Sequence, residues 1–409
     1  MRISTSTFYN ESVTSMNQMQ VNIAQTTQQL ATGRKILSPA DDPAAAARAS
    51  ELTQTDSANT QFGSNRIAAT NVLSLADGVL QSVTNLLLDA KDVSAAAANG
   101  MLNPAARKSM AVDIQGRLQE LLGLANSTDG TGNYIFAGAQ GKVQPFADTA
   151  AGVVYQGDDV QRKVQAAPGR QIPITDSGAD IFMRIRNGNG TFNASPALAN
   201  TGDSTINQGI VTNTALYTGQ SYQLTFAVAA GVTTYSITDT TTGAPVALAP
   251  PVTNVPYVSG QAISVNGIQF EVKGAPANGD VFDVAPSTNQ NIFETLTKLV
   301  ATLNTNIPTG SPMNVATYRQ GLSDAFNTLD QSLSSVLGVR ATMGARLNEL
   351  DALNVTGENL GLEYKSTLSK IQDTDYNKAI SDLTQQQMVL TAAQKSFSQV
   401  SKMSLFDYL

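Results

Sequence analysis

The side chains behind most enzyme chemistry are missing from this chain, which has no histidine and no cysteine in 409 residues. That removes imidazole and thiolate metal ligands, disulfides and every nucleophile relayed through histidine, and leaves carboxylates, hydroxyls and lysines to be weighed. The pair Asp41-Asp42 could suggest an acid and a base, but Pro43 follows at once, so Asp42 is better placed to cap a helix whose first residue is that proline. Asp373 and Asp375 could offer oxygens to a cation; too few further oxygen ligands stand near them, and a solvated hinge is the better reading. Asn187-Gly188-Asn189-Gly190 is glycine-rich but has neither the strand–turn–helix setting nor the lysine of a phosphate loop, so it reads as a turn. No catalytic, cofactor-binding or metal site is expected, and the chain does not read as an enzyme.

What remains is the chemistry of association. Tyr376, Leu383, Leu390 and Phe397 recur every seven residues, with Ala379 and Ala393 between them and Val400 and Leu405 beyond. A helix here carries one narrow apolar seam of coiled-coil type, interrupted only by Gln386. Such a helix cannot cover its own seam, so a partner must lie elsewhere in the chain or in another chain. The matching seam is at the other end: Tyr9, Met16, Ile23 and Leu30 have the same spacing, with Val13 and Met19 beside them, in a segment more than half Ser, Thr, Asn and Gln. The candidate subunit-interface residues are the two sets of four at seven-residue spacing together with Val400 and Leu405.

Composition frames the rest. An apolar fraction of 42% is ample for ordinary cores, and the length suits two or three domains. The net charge of −7 and the scattered basic residues leave no electrostatic footprint for nucleic acid. No apolar stretch approaches the roughly 20 residues that span a bilayer, and MRISTSTFYNESVTS lacks the pattern of a cleaved signal, so sequence alone reads as cytoplasmic.

In chain order, a helix from Arg2 to Thr32 should stop at Gly33, and a second should start at Pro43. The stripe Leu73, Ala76, Leu80, Val83, Leu87, Ala90 predicts a helix over 65–99, and Asn103-Pro104 opens another carrying Met110, Ile114, Leu118, Leu121 and Ala125. Short extended runs follow at 133–136, 153–155 and 172–174. From 187 to 286 the chain is rich in Thr, Gly and Val, with strands expected at 222–227, 233–238, 263–265 and 268–272. Asn266-Gly267 between the last two is the strongest hairpin signal. Helical periodicity returns at Ile292–Leu303, breaks between Pro308 and Pro312, and runs on to about Ile371. The expected fold is mainly α with a β-rich insert: paired terminal helices, a long helical bundle and an outer all-β domain. The expected domains are 1–40 with 373–409, 41–186 with 287–372, and 187–286.

With these segments in view the chain resembles the flagellin superfamily, and within it the hook-associated proteins of the hook–filament junction. The resemblance runs through RISTSTF, QLATGRKILSPADDPAAAA (Gln29–Ala47), NRIAATNVLSLADGVLQSVTNLL (Asn65–Leu87), GNYIFAG (Gly132–Gly138) and VYQGD (Val154–Asp158). The ending TAAQKSFSQVSKMSLFDYL is more like the junction type than the Leu-Leu-Arg endings of filament flagellins. The resemblance implies a rod of layered domains whose paired terminal helices line a tube, and a structural role in a homo-oligomeric ring between hook-associated protein 1 and flagellin. It further implies passage through the type III export apparatus without a cleaved signal, with an export chaperone on the C-terminal helix. On that basis the expected location moves from the cytoplasm to the extracellular flagellum. Filament flagellin itself, or a surface protein that binds through the β insert, are the competing expectations.

Overall fold

The computed structural model describes residues 5–98, 102–246, 252–308 and 311–402. The chain divides into two compact units, Met1–Asn65 with Ala352–Leu409, and Arg66–Asp351.

The first unit is helical. Helix α1 (Thr5–Thr32) ends at Gly33, whose φ of +69° is the left-handed conformation that terminates helices. The loop that follows is held by Asp41, whose carboxylate accepts from the backbone N–H groups of Leu37 and Ser38 at 2.9 and 2.8 Å. Those hydrogen bonds, Ser38's first, hold the Asp41 carboxyl below the usual carboxylate range. Asp42 accepts from the Ala45 N–H at 2.9 Å and caps α2 (Pro43–Ala98), which starts on the expected proline. The expected start of a separate helix at residue 65 is corrected, because α2 runs on without a break. Before Leu73 its inward stripe continues in small and polar residues such as Ala49 and Asn59, which a search for large apolar side chains passes over. Asn59 donates from its amide to the Gly357 carbonyl at 2.7 Å.

In the second unit the large residues of α2 are buried as the stripe required, Leu73, Leu80 and Val83 completely. Helix α3 (Pro104–Ala125) is capped by Asn103, whose side chain accepts from the Ala106 N–H. Helix α4 (Ile292–Leu303) packs on α3, and α5 (Pro312–Gln372) runs antiparallel to α2. Tyr318 Oη bonds the Ala97 carbonyl at 3.2 Å, Ser94 Oγ bonds that of Leu322 at 3.2 Å, and Arg340 pairs with Asp77 at 2.8 Å.

The β structure begins with two hairpins, β1 (Phe146–Thr149) with β2 (Gly152–Tyr155) and β3 (Lys163–Ala167) with β4 (Arg170–Pro173). The run 133–136 was expected to be extended but forms no regular strand. Its apolar residues serve a loop: Phe136 is fully buried against Phe182, rings 5.5 Å apart, while its carbonyl accepts from the Tyr155 hydroxyl and the Gly178 N–H.

Strands β5 (Ile185–Arg186) and β16 (Asn289–Gln290) pair where the chain enters and leaves the β-rich region. Between them lie β6 (Phe192–Pro196), β7 (Thr205–Ile206), β8 (Ile210–Val211), β9 (Tyr222–Ala229), β10 (Val232–Asp239), β11 (Ala244–Pro245), β12 (Val255–Pro256), β13 (Ala262–Val265), β14 (Ile268–Lys273) and β15 (Val281–Pro286). One antiparallel sheet has the order β11-β10-β9-β15-β6, with β12 also on β10; a second has the order β13-β14-β7, with β8 also on β14. The Asn266-Gly267 turn has positive φ at both residues, 40° and 81°, and sets Val265 opposite Ile268, the two-residue hairpin its sequence announces. Alternate residues of these strands, including Tyr222, Leu224, Phe226, Phe270 and Phe282, close one apolar core.

Candidate assembly surface

The two terminal seams meet. Helix α6 (Tyr376–Lys402) packs along α1 within the first unit, and the paired residues fix an antiparallel arrangement. The Tyr9 and Phe397 rings lie 5.0 Å apart, Thr26 Oγ1 is 3.2 Å from Gln386 Oε1, and the Tyr376 hydroxyl sits over Gly33, where a Cβ would approach it to 2.9 Å. The start of α6 is tied to the end of α1 by backbone hydrogen bonds from Thr374 to Gly33 at 2.9 Å and from Lys35 to Gln372 at 2.7 Å. Asp375 accepts from the Lys378 N–H and so caps α6, while Asp373 bridges to Arg34 through the backbone. The two acids of the expected hinge therefore act as helix-end residues.

The cover each side gives the other is partial. Met16, Ile23, Leu30, Leu383, Leu390 and Phe397 are half-buried, whereas Tyr9, Tyr376 and Val400 stay about half exposed, at 52%, 53% and 46%. Leu405 lies outside the described residues. Among the described residues of the pair only Thr26 and Ala379 are closed off from solvent. Gln386, expected as an interruption of the seam, is matched by Thr26, a residue that the heptad reading passed over because threonine is not apolar. The Thr26 hydroxyl also meets the Asn22 carbonyl of its own helix at 3.0 Å, so a slip would take this partner from Gln386 without leaving the hydroxyl unpaired, and the polar contact favours one register.

Other apolar residues of the two helices point away from the seam: Val21 is 58% exposed, Ile380 53% and Met388 68%, with Val389 beside it. Shallow grooves flank the pair, one of about 320 Å³ between Ser12, Ser15, Met16 and Ala393, Phe397, Val400, another of about 280 Å³ between Met19, Asn22 and Gln386, Val389. Between Thr5 and Thr32 the only charged residue is Glu11, so almost no charge opposes close approach of another surface. The signal for Val21, Ile380 and Met388 was present in the sequence as large apolar residues off the seam of an otherwise amide-rich helix. The arrangement has no catalytic geometry. It is built for packing.

Comparison with known proteins agrees. Residues 3–141 match the family described as the bacterial flagellin N-terminal helical region. A crystal structure of flagellar hook associated protein-3 from Legionella pneumophila superposes with a TM-score of 0.75 at 31% identity, covering 79% of this chain and 98% of that one. The chain belongs to the hook-associated protein 3 family of flagellin-like proteins. Flagellar hook-associated protein 3 of Salmonella typhimurium is 29% identical over 407 residues, 100% of this chain and 99% of the relative. Flagellin B of Vibrio anguillarum is more distant, at 23% over 92% of this chain and 90% of its own. Membership makes this a structural junction protein of the bacterial flagellum and not an enzyme; it acts in the extracellular flagellum among other hook and filament proteins. No helix among the described residues is long and apolar enough to cross a membrane.

Proposed function

We propose that this chain forms the ring at the hook–filament junction, seated between hook-associated protein 1 and the flagellin filament, and that its α1–α6 pairs join one subunit to the next. The observation that carries this reading is the pair itself, which satisfies its register through Thr26 and Gln386 yet leaves Tyr9, Val21, Tyr376, Ile380, Met388 and Val400 open. Tyr9, Met16, Ile23, Leu30, Tyr376, Leu383, Leu390, Phe397, Val400 and Leu405 are the proposed interface set, to which the outward residues are added. In this reading the terminal helices, the bundle and the β-rich region 187–286 act as successive layers, with the β-rich region outermost. Export proceeds through the flagellar type III apparatus without a cleaved signal. A chaperone covers the C-terminal helix beforehand, because an amphipathic helix without its partner is an aggregation hazard.

Leu390→Asp tests the reading. Placing a carboxylate in a seam that assembly closes should abolish incorporation into flagella while leaving the main unfolding transition of the purified chain unchanged within roughly 0.5 kcal/mol. Wild-type incorporation of the exported variant would contradict it. Labelling of isolated flagella separates the filament reading, for which the signal runs along the filament instead of a single band beside the hook.

A further inference from the structure

A second feature lies in the Arg66–Asp351 unit, where a polar cleft of about 330 Å³ is lined by residues of β6, β16, α4 and α5. Ala194 of β6 is fully buried in the β core, so the alternation of a strand puts Asn193 and Ser195 on its other face, in the cleft lining. Gln290 of β16, Lys298 of α4 and Asp324 of α5 join them. The Asp324 carboxylate is held through one oxygen: Oδ1 accepts from Nε2 of Gln320 and from Nε2 of Gln208, both at 2.9 Å. Gln208 in turn accepts from the Ala194 N–H and donates to the Ala194 carbonyl, each at 2.9 Å, which ties the carboxylate to the strand that carries Asn193 and Ser195.

The positions are fixed, yet several polar groups are left over. Among the described residues, Asp324 Oδ2, Gln290 Oε1, the Asn193 amide and the Ser195 hydroxyl make no hydrogen bond, and none of them is sealed from solvent. The chemistry of the lining narrows what could take them up. No large apolar side chain contributes, so an apolar ligand would gain nothing by entering. The two charged residues have opposite signs: an anion would meet the Asp324 carboxylate, and a cation would meet Lys298, which is already paired with Glu294 at 2.7 Å. A neutral ligand bearing several hydroxyls suits the set, because each hydroxyl both donates and accepts. We propose that this cleft binds a single sugar ring. One ring hydroxyl donates to Asp324 Oδ2 in a charge-assisted bond, a neighbouring hydroxyl accepts from Asn193 Nδ2, and Ser195 and Gln290 serve the others.

Binding is weak in this account, since each hydrogen bond to the protein replaces one to water and no aromatic face covers the ring; dissociation constants of about 1–10 mM are expected. The test is a titration of the full-length chain with D-glucose, D-galactose and N-acetyl-D-glucosamine, read by the backbone NMR shifts of Asn193, Ser195 and Thr328. At least one sugar should move these amides with saturation in that range. Asn193→Leu, which removes an amide that bonds nothing in the protein and fills the cleft, should weaken that sugar at least tenfold, and Ser195→Ala about threefold. Should Asn193→Leu fail to fold, Asn193→Ala, which only deletes the amide, serves in its place with a loss of about threefold. Three results would overturn the proposal. One is no shift from any of the three sugars at about 100 mM. Another is tighter binding of L-arginine or inorganic phosphate at the same amides. The last is an affinity that the Asn193 variant leaves unchanged.

Discussion

The α1–α6 pair and the core of the β-rich region both bury aromatic and aliphatic residues, but to different depths. Phe226 is 1% exposed and meets Tyr257 and Phe282 edge to face at 5.1 and 5.8 Å, and its neighbours on two sheets enclose it. Phe397 touches one ring, Tyr9, that is itself half in water. A fully buried phenylalanine or leucine contributes about 1.5–3 kcal/mol, and a half-buried one about half as much. A pair of helices with one narrow seam therefore stays near the margin of stability, whereas the β core stands well inside it. The proposed function gives this difference a use: the region proposed to join other subunits is the one with its burial left incomplete.

The largest effect that tests this contrast is Phe226→Ala, which should lower the stability of the second unit by about 3–5 kcal/mol in denaturant titration. A loss below about 1 kcal/mol would mean that the β core is as loosely closed as the seam. Next, Gly33→Ala puts a Cβ at a φ of +69° and 2.9 Å from the Tyr376 hydroxyl. The tyrosine tip can swing away, so the backbone strain of about 1 kcal/mol remains, confined to the α1–α6 junction. It should appear as faster exchange of the Thr374 amide, which bonds the Gly33 carbonyl. The smallest is the polar pair: a double-mutant cycle on Thr26→Ala and Gln386→Ala should return a coupling of about 0.5–1.5 kcal/mol. Zero coupling would leave the register unexplained by this pair.

Much of the architecture was legible because local chemistry and tertiary role coincide. Asn266-Gly267 can only be a tight turn, Asn103-Pro104 a helix start, and Gly33 a helix end, whatever surrounds them. The stripe from Leu73 to Ala90 was legible because the core there takes large residues. What escaped notice used side chains for purposes that a hydrophobic pattern does not encode. The first part of α2 faces inward with alanine and asparagine, and Phe136 anchors a loop instead of a strand. At the assembly surface the seven-residue spacing located the seam, including its break at Gln386, but not the partner hydroxyl of Thr26, and it passed over Val21, Ile380 and Met388 because they lie off the seam.

Hydrogen exchange over the full length of the chain, measured on the dilute monomer and again on assembled flagella, tests the central contrast most directly. Amides of α1 and α6 should exchange orders of magnitude faster than those of β9, β14 and β15 in the monomer, and should become protected to a comparable level after assembly. Protection of α1 and α6 equal to that of the β core in the non-associating monomer would contradict the account, as would terminal helices left unprotected in the assembled flagellum.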